Sequence, residues 1–293
     1  MSSRVKTGLL WLLLVGLFFS VVVSEGRARR LPEAPSLGAR AEAWAPTGLA
    51  LALLAAFLGA LVLRTRGSDT WAATNDEGSR LLLAGNAPQA RAVFQRLVVL
   101  GGSPQQQSVA SCNLAAASLL SGKHREALAT CEAAHADFGD HATPEWRVWN
   151  MALACCAASL AGELAAARLW HWRGRDLSAS RGQPLRLLAE ALLRAREGED
   201  AAVAGLILER WDEAERCPTV LRKLLRVLRA FALSRSGLAS VTEVREWLAG
   251  AKPLEVHALD FAATDWPELR AYLVAEGLTS EGPRALQSQG PHS

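Results

Sequence analysis

The sequence predicts an all-helical protein, with two N-terminal transmembrane helices followed by a stack of antiparallel helix pairs, an α-solenoid. Three observations carry this. Two uncharged apolar runs fall within the first 66 residues. Half of the chain is apolar, yet it holds one Tyr and seven Phe, so its apolar content lies mainly in helix-favouring Ala and Leu. From Gly85 onward, glycines recur at intervals of 36–40 residues, a period typical of stacked helical hairpins.

The first apolar run is Gly8–Val23, with Arg4 and Lys6 ahead of it and Arg27, Arg29 and Arg30 behind. A basic start and a short apolar core also fit a signal peptide cut after Ser24, and that alternative stays open. The second run, Ala43–Leu63, is 21 residues long, flanked by Trp44 and by Arg64 and Arg66. Its length suits a bilayer crossing, and its flanks are those that membrane interfaces favour. Residues 1–66 thus read as an anchor with spans at about 8–24 and 43–63. Gly48, Ala52, Ala56 and Ala60 form a small-residue stripe on the second span, placed to pack against another membrane helix. The linker between the spans, with Pro32, Pro35 and Gly38, is a loop. The expected location is an integral two-pass membrane protein with its larger domain in the cytoplasm. Five cysteines in odd number, without C-x-x-C spacing, suit a reducing compartment better than a disulfide framework.

Residues 67–278 form the predicted helical-repeat domain. Its turn glycines are Gly85, Gly122, Gly162, Gly198 and Gly237. In the first three units an Ala follows the turn by five residues: Ala90, Ala127 and Ala167. A Leu precedes it by two, and a small residue precedes it by seven: Gly78, Ala115 and Cys155. The runs GNAPQARAVFQRLV and GKHREALATCEAA resemble the second helix of a tetratricopeptide repeat (TPR), with Phe94 as the larger side chain four residues after Ala90. The resemblance covers about residues 71–175 and implies a protein-binding helical array. The first helices carry Ala and Ser where that family has larger residues, and the units exceed 34 residues, so the repeats are degenerate. Leu254–Ala263 and Pro267–Gly277 read as a closing helix pair, with Asp265 ahead of Trp266-Pro267 as a start signal. The tail, 279–293, lacks periodicity and reads as disordered.

Chemistry is harder to find. Residues 1–66 hold eight Lys/Arg against three Asp/Glu, and the remainder 24 against 26, which argues against nucleic acid as a partner. Ala117–Lys123 ends in Ser-Gly-Lys but lacks the first Gly and the final Ser or Thr of a phosphate loop. Cys131 and His135 have the spacing of two metal ligands on a helix face, yet Cys131 occupies the same repeat position as Phe94 and reads as core. His171 holds that position in the third unit. No catalytic residue, metal site or cofactor is nominated. Arg222, Arg226 and Arg229 share a helix face opposite Leu221, Leu224, Leu228 and Phe231, and are the candidate contact for an acidic partner.

The expected function is a membrane-tethered scaffold or assembly factor that binds a protein or peptide partner in a repeat groove. Two alternatives stay open. One is an envelope-side assembly module similar to the TPR subunits of cytochrome c maturation. The other is a membrane-bound enzyme with an unfamiliar site.

Overall fold

The computed structural model describes residues 70–177, 183–253 and 258–279. The chain divides into units Met1–Thr70 and Trp71–Ser293, and the described helices build the second. Among the described residues there are helices and turns but no strand. The helices pair as α1 (70–83) with α2 (Ala87–Leu100), α3 (Pro104–Leu120) with α4 (His124–Phe138), and α5 (Pro144–Ala161) with α6 (Leu164–Arg175). They continue with α7 (Gln183–Arg196) and α8 (Asp200–Glu209), the short α9 (Trp211–Ala214), and α10 (Thr219–Ser236) with α11 (Val241–Ala249). Two short helices, α12 (Asp260–Ala263) and α13 (Pro267–Ala275), end the described chain.

The anchor expected at the N-terminus is corrected. No helix among the described residues is long and apolar enough to cross a membrane, so the fold class is an all-helical repeat array and the two-pass membrane location is not supported. The two 18-residue helices show why no described helix could cross. Five cationic side chains interrupt α10, while Glu145, Arg147 and Asn150 dilute α5. The proposed spans at 8–24 and 43–63, with Gly48, Ala52, Ala56 and Ala60, lie outside the described residues.

Each of the five turn glycines sits between the two helices of a pair with positive φ, from 65° at Gly237 to 81° at Gly198. At Gly162 the demand is double. Its φ of 78° is left-handed, and a Cβ there would stand 2.6 Å from Arg196 Nη2. Helix starts are equally explicit. Ser103 and Gln106 form a reciprocal capping box ahead of Pro104, and Thr143 caps α5 ahead of Pro144.

The pairs stack so that every first helix touches the next first helix: α3 on α5, α5 on α7, and α7 on α10. Each second helix also meets the first helix of the following pair. This is the connectivity of a helical-repeat array. Surrounded by α3, α4, α6 and α7, α5 is buried at every residue from Asn150 to Ala161. Its core stretch, MALACCAASLA, is almost all small, which lets four neighbours close in. Asn150 ties three helices together. It accepts from the Cys112 thiol at 3.6 Å and donates to the Cys131 carbonyl at 3.0 Å. All five cysteines are free and buried, and burial pushes the Cys112 and Cys155 thiols up to about 12.

Side-chain volumes complement each other across each pair. Gly78 lies under Phe94, whose Cε1 would be 2.6 Å from an added Cβ. In the second unit Ala115 and Cys131 hold the equivalent positions, and in the fourth Ala191 and Ile207, all fully buried. Ion pairs run between successive units: Arg91 with Glu126 at 2.6 Å, Arg125 with Glu163 at 3.2 Å, and Arg168 with Glu197 at 2.5 Å. Being partly or largely exposed, they add little stability individually.

The closing helix pair is more than an end cap. Residues 258–279 turn back over the array, bringing α12 against α3. His124, whose side chain has no exposure, presents Nδ1 to the Asp265 carboxylate at 3.0 Å and Nε2 to the Phe261 carbonyl at 2.7 Å. Trp266 is 2% exposed. It is wedged edge-on against Phe231, with the Arg196 guanidinium 4.9 Å from its ring centre. Of the tail expected to be disordered, Thr279 is buried and hydrogen-bonds Asp260; 280–293 lie outside the described residues.

Two outcomes follow from this packing. Gly78→Ala should lower stability by about 2 kcal/mol through overpacking, and adding Phe94→Leu should recover part of that loss in a urea-denaturation mutant cycle. His124→Ala should free the returning segment, raising amide exchange across 258–279 about tenfold while α5 stays protected.

Candidate functional site

Two places on the array gather charge. The first holds the predicted arginines, and the structure gives each a different setting. Arg229 is 4% exposed. Its Nε donates to the Ala204 carbonyl at 3.0 Å, Nη2 reaches Glu243 at 3.4 Å, and its guanidinium lies 4.0 Å from the Trp247 ring centre. Burial lowers its pKa, with Glu243 opposing. Arg226 stacks 4.4 Å over Trp211 and lies 5.3 Å from Trp247, the two rings meeting edge-to-face at 5.0 Å. Its pKa is also lowered, by burial and then by Arg222. Arg222 is half-buried and donates to the Glu215 carbonyl at 3.3 Å. The opposing Leu221, Leu224, Leu228 and Phe231 are core. Arg226 and Arg229 therefore form a cation–π clamp joining α9, α10 and α11, and Arg222 stands outside it.

The second place is a cleft of about 330 Å³ between the third and fourth pairs. Its floor is apolar, from Met151, Ala152 and Cys155 of α5 and Ala189 of α7. Four arginines line it, Arg175, Arg186, Arg194 and Arg210, against one acid, Glu190. Arg186, Glu190 and Arg194 share a face of α7 through their four-residue spacing. Glu190 receives Arg194 Nη2 at 2.7 Å and Arg210 Nη1 at 3.2 Å. Arg210 also grips Glu213 through Nε at 3.0 Å and Nη2 at 2.7 Å, which raises its pKa. Arg186 donates to two main-chain carbonyls, Leu177 at 3.0 Å and Arg175 at 2.9 Å. Each guanidinium has five donors, so Arg175, Arg186 and Arg194 retain several for another acceptor.

His171 lines this cleft. Its counterparts Phe94 and Cys131 are sealed in the core, so the repeat's inward slot opens to solvent only in the third of these units. Cys155 on the floor donates its thiol to the Ala189 carbonyl, and burial raises its pKa. A smaller hollow of about 210 Å³ adjoins at Met151, lined by His135, Asp140, His141 and Arg147. His135 sits edge-on to Trp170 at 5.2 Å, and burial followed by Arg173 lowers its pKa. Cys131 and His135 do not converge on a metal; among the described residues no group of three or more His, Cys, Asp and Glu is placed to hold one. The arrangement offers recognition of anions and carbonyl oxygens.

Sequence reasoning missed this cleft; the signal that could have marked it is the four-residue spacing of Arg186, Glu190 and Arg194. Nothing local connects Arg210 to it. As a check on the clamp, Arg229→Ala should cost about 2 kcal/mol by removing a buried side chain with its stacking on Trp247 and its bonds to Ala204 and Glu243, whereas Arg222→Ala should change stability by less than about 0.5 kcal/mol. Chemical denaturation separates the two. Comparison with protein-family models, curated proteins and solved structures gave no match.

Proposed function

We propose that this protein is an interaction scaffold, a degenerate TPR-like array that holds a protein or peptide partner on its repeat surface. The observation that supports it is the cleft between the third and fourth pairs, where one inter-pair slot is left open and rimmed by guanidinium groups whose donors the fold uses only in part. Stacked pairs provide a broad, rigid surface, and a rigid surface binds a flexible segment without itself losing conformational freedom. The clamp of Arg226 and Arg229 supports this reading indirectly, by fixing α9, and with it Arg210, beside the cleft. Panning a displayed random-peptide library against the full chain should enrich a convergent motif. Crosslinks from a photoreactive version of that motif should fall on the helical array. Failure to enrich any motif above an unrelated helical protein would reject the proposal.

A further inference from the structure

We infer that the cleft between α5, α6 and α7 is a carboxylate-recognition site that receives an acidic side chain of a peptide partner, an inference that rests on the scaffold reading and sharpens it. Four arginines line about 330 Å³ with Glu190, and with Glu213 on Arg210 and Asp176 on Arg175 counted the cations still outnumber the acids, in surroundings that the apolar floor partly desolvates. Charge attraction is stronger there than on an open surface.

The cleft already displays the recognition it would perform. Glu190 is bracketed by Arg194 and Arg210, one to each carboxylate oxygen, which is how guanidinium groups hold a carboxylate. Arg186 spends two donors on main-chain carbonyls, the other group a peptide brings. Arg175 faces the same space, and its side-chain bond is one contact of 3.4 Å to Asp176, with both side chains mostly exposed. Such a bond exchanges easily for an incoming carboxylate. The floor of Met151, Ala152 and Ala189 suits a short aliphatic neighbour. The occupant is therefore a segment in which acidic and aliphatic residues alternate.

The test uses the full-length chain and a fluorescent synthetic peptide alternating Glu and Leu, followed by anisotropy. The Glu peptide should bind, weaken as salt is raised, and lose about tenfold or more in affinity with Arg175→Gln/Arg194→Gln. The same peptide with Gln for Glu should bind at least tenfold more weakly. Arg96→Gln, exposed on α2 and away from the cleft, should leave binding unchanged. Circular dichroism verifies the double variant; if its fold is disturbed, Arg175→Glu alone, on a largely exposed side chain, gives the same readout. Equal binding of the Glu and Gln peptides, or indifference to the arginine variants, overturns the inference. So does competition by free succinate at the peptide's own affinity, since the site would then serve a small carboxylate. A panned neutral motif that still binds the double variant would overturn the acidic site while leaving the scaffold standing; absence of any enriched motif would remove both.

Discussion

How closely helices can approach α5 governs the rest of this structure. Four helices contact it, and its Ala, Cys and Ser residues bring their backbones near enough to exclude solvent along its last twelve residues. Larger side chains there would force the pairs apart and cost stability through strain. The surrounding helices supply the bulk instead, from Leu187, Leu188 and Leu192 on α7 to Trp170 on α6, all buried. This helix buries two polar side chains, Asn150 and Ser159; both ends of the Asn150 amide are used, so its cost is offset.

Much of this was written locally in the chain. A left-handed turn leaves a glycine, a close helix crossing leaves an Ala or Gly at fixed distance from it, and these marks survive in sequence because sterics tolerate few replacements. Gly78 beneath Phe94 is the plainest case. The repeat was consequently legible as far as the third unit by residue identity and as far as Gly237 by rhythm. The N-terminal hydropathy was read from pattern alone, and the described helices gave it no support.

What was not legible depends on residues distant in the chain. The face of Arg222, Arg226 and Arg229 looks solvated by spacing, because Trp211 and Trp247 arrive from separate helices on either side of α10. Arg210 comes to Glu190 from twenty positions away. The return of residues 258–279 is similar: Asp265 reads as a helix-start signal, and no local feature says that its carboxylate faces His124, 141 positions earlier. The cleft arises from a further nonlocal cause, since whether the slot at His171 closes depends on what the next pair brings. At the second unit α5 seals the slot, while at the third α7 presents arginines to it.

The returning segment has an evolutionary implication. Open repeat arrays lengthen or shorten by duplicating or deleting a unit, because each unit touches only its neighbours. Here the last described residues are fastened to the beginning of α4 and to the middle of α10 at once, through His124 and Phe231. Inserting or removing a pair between those points would change the span the segment must bridge and dislodge Trp266. The number of pairs enclosed by the fastening is thereby frozen, and divergence is confined to substitution within units. An array under that constraint accumulates differences between its repeats, which is the condition for one slot, and only one of those compared, to open as a cleft.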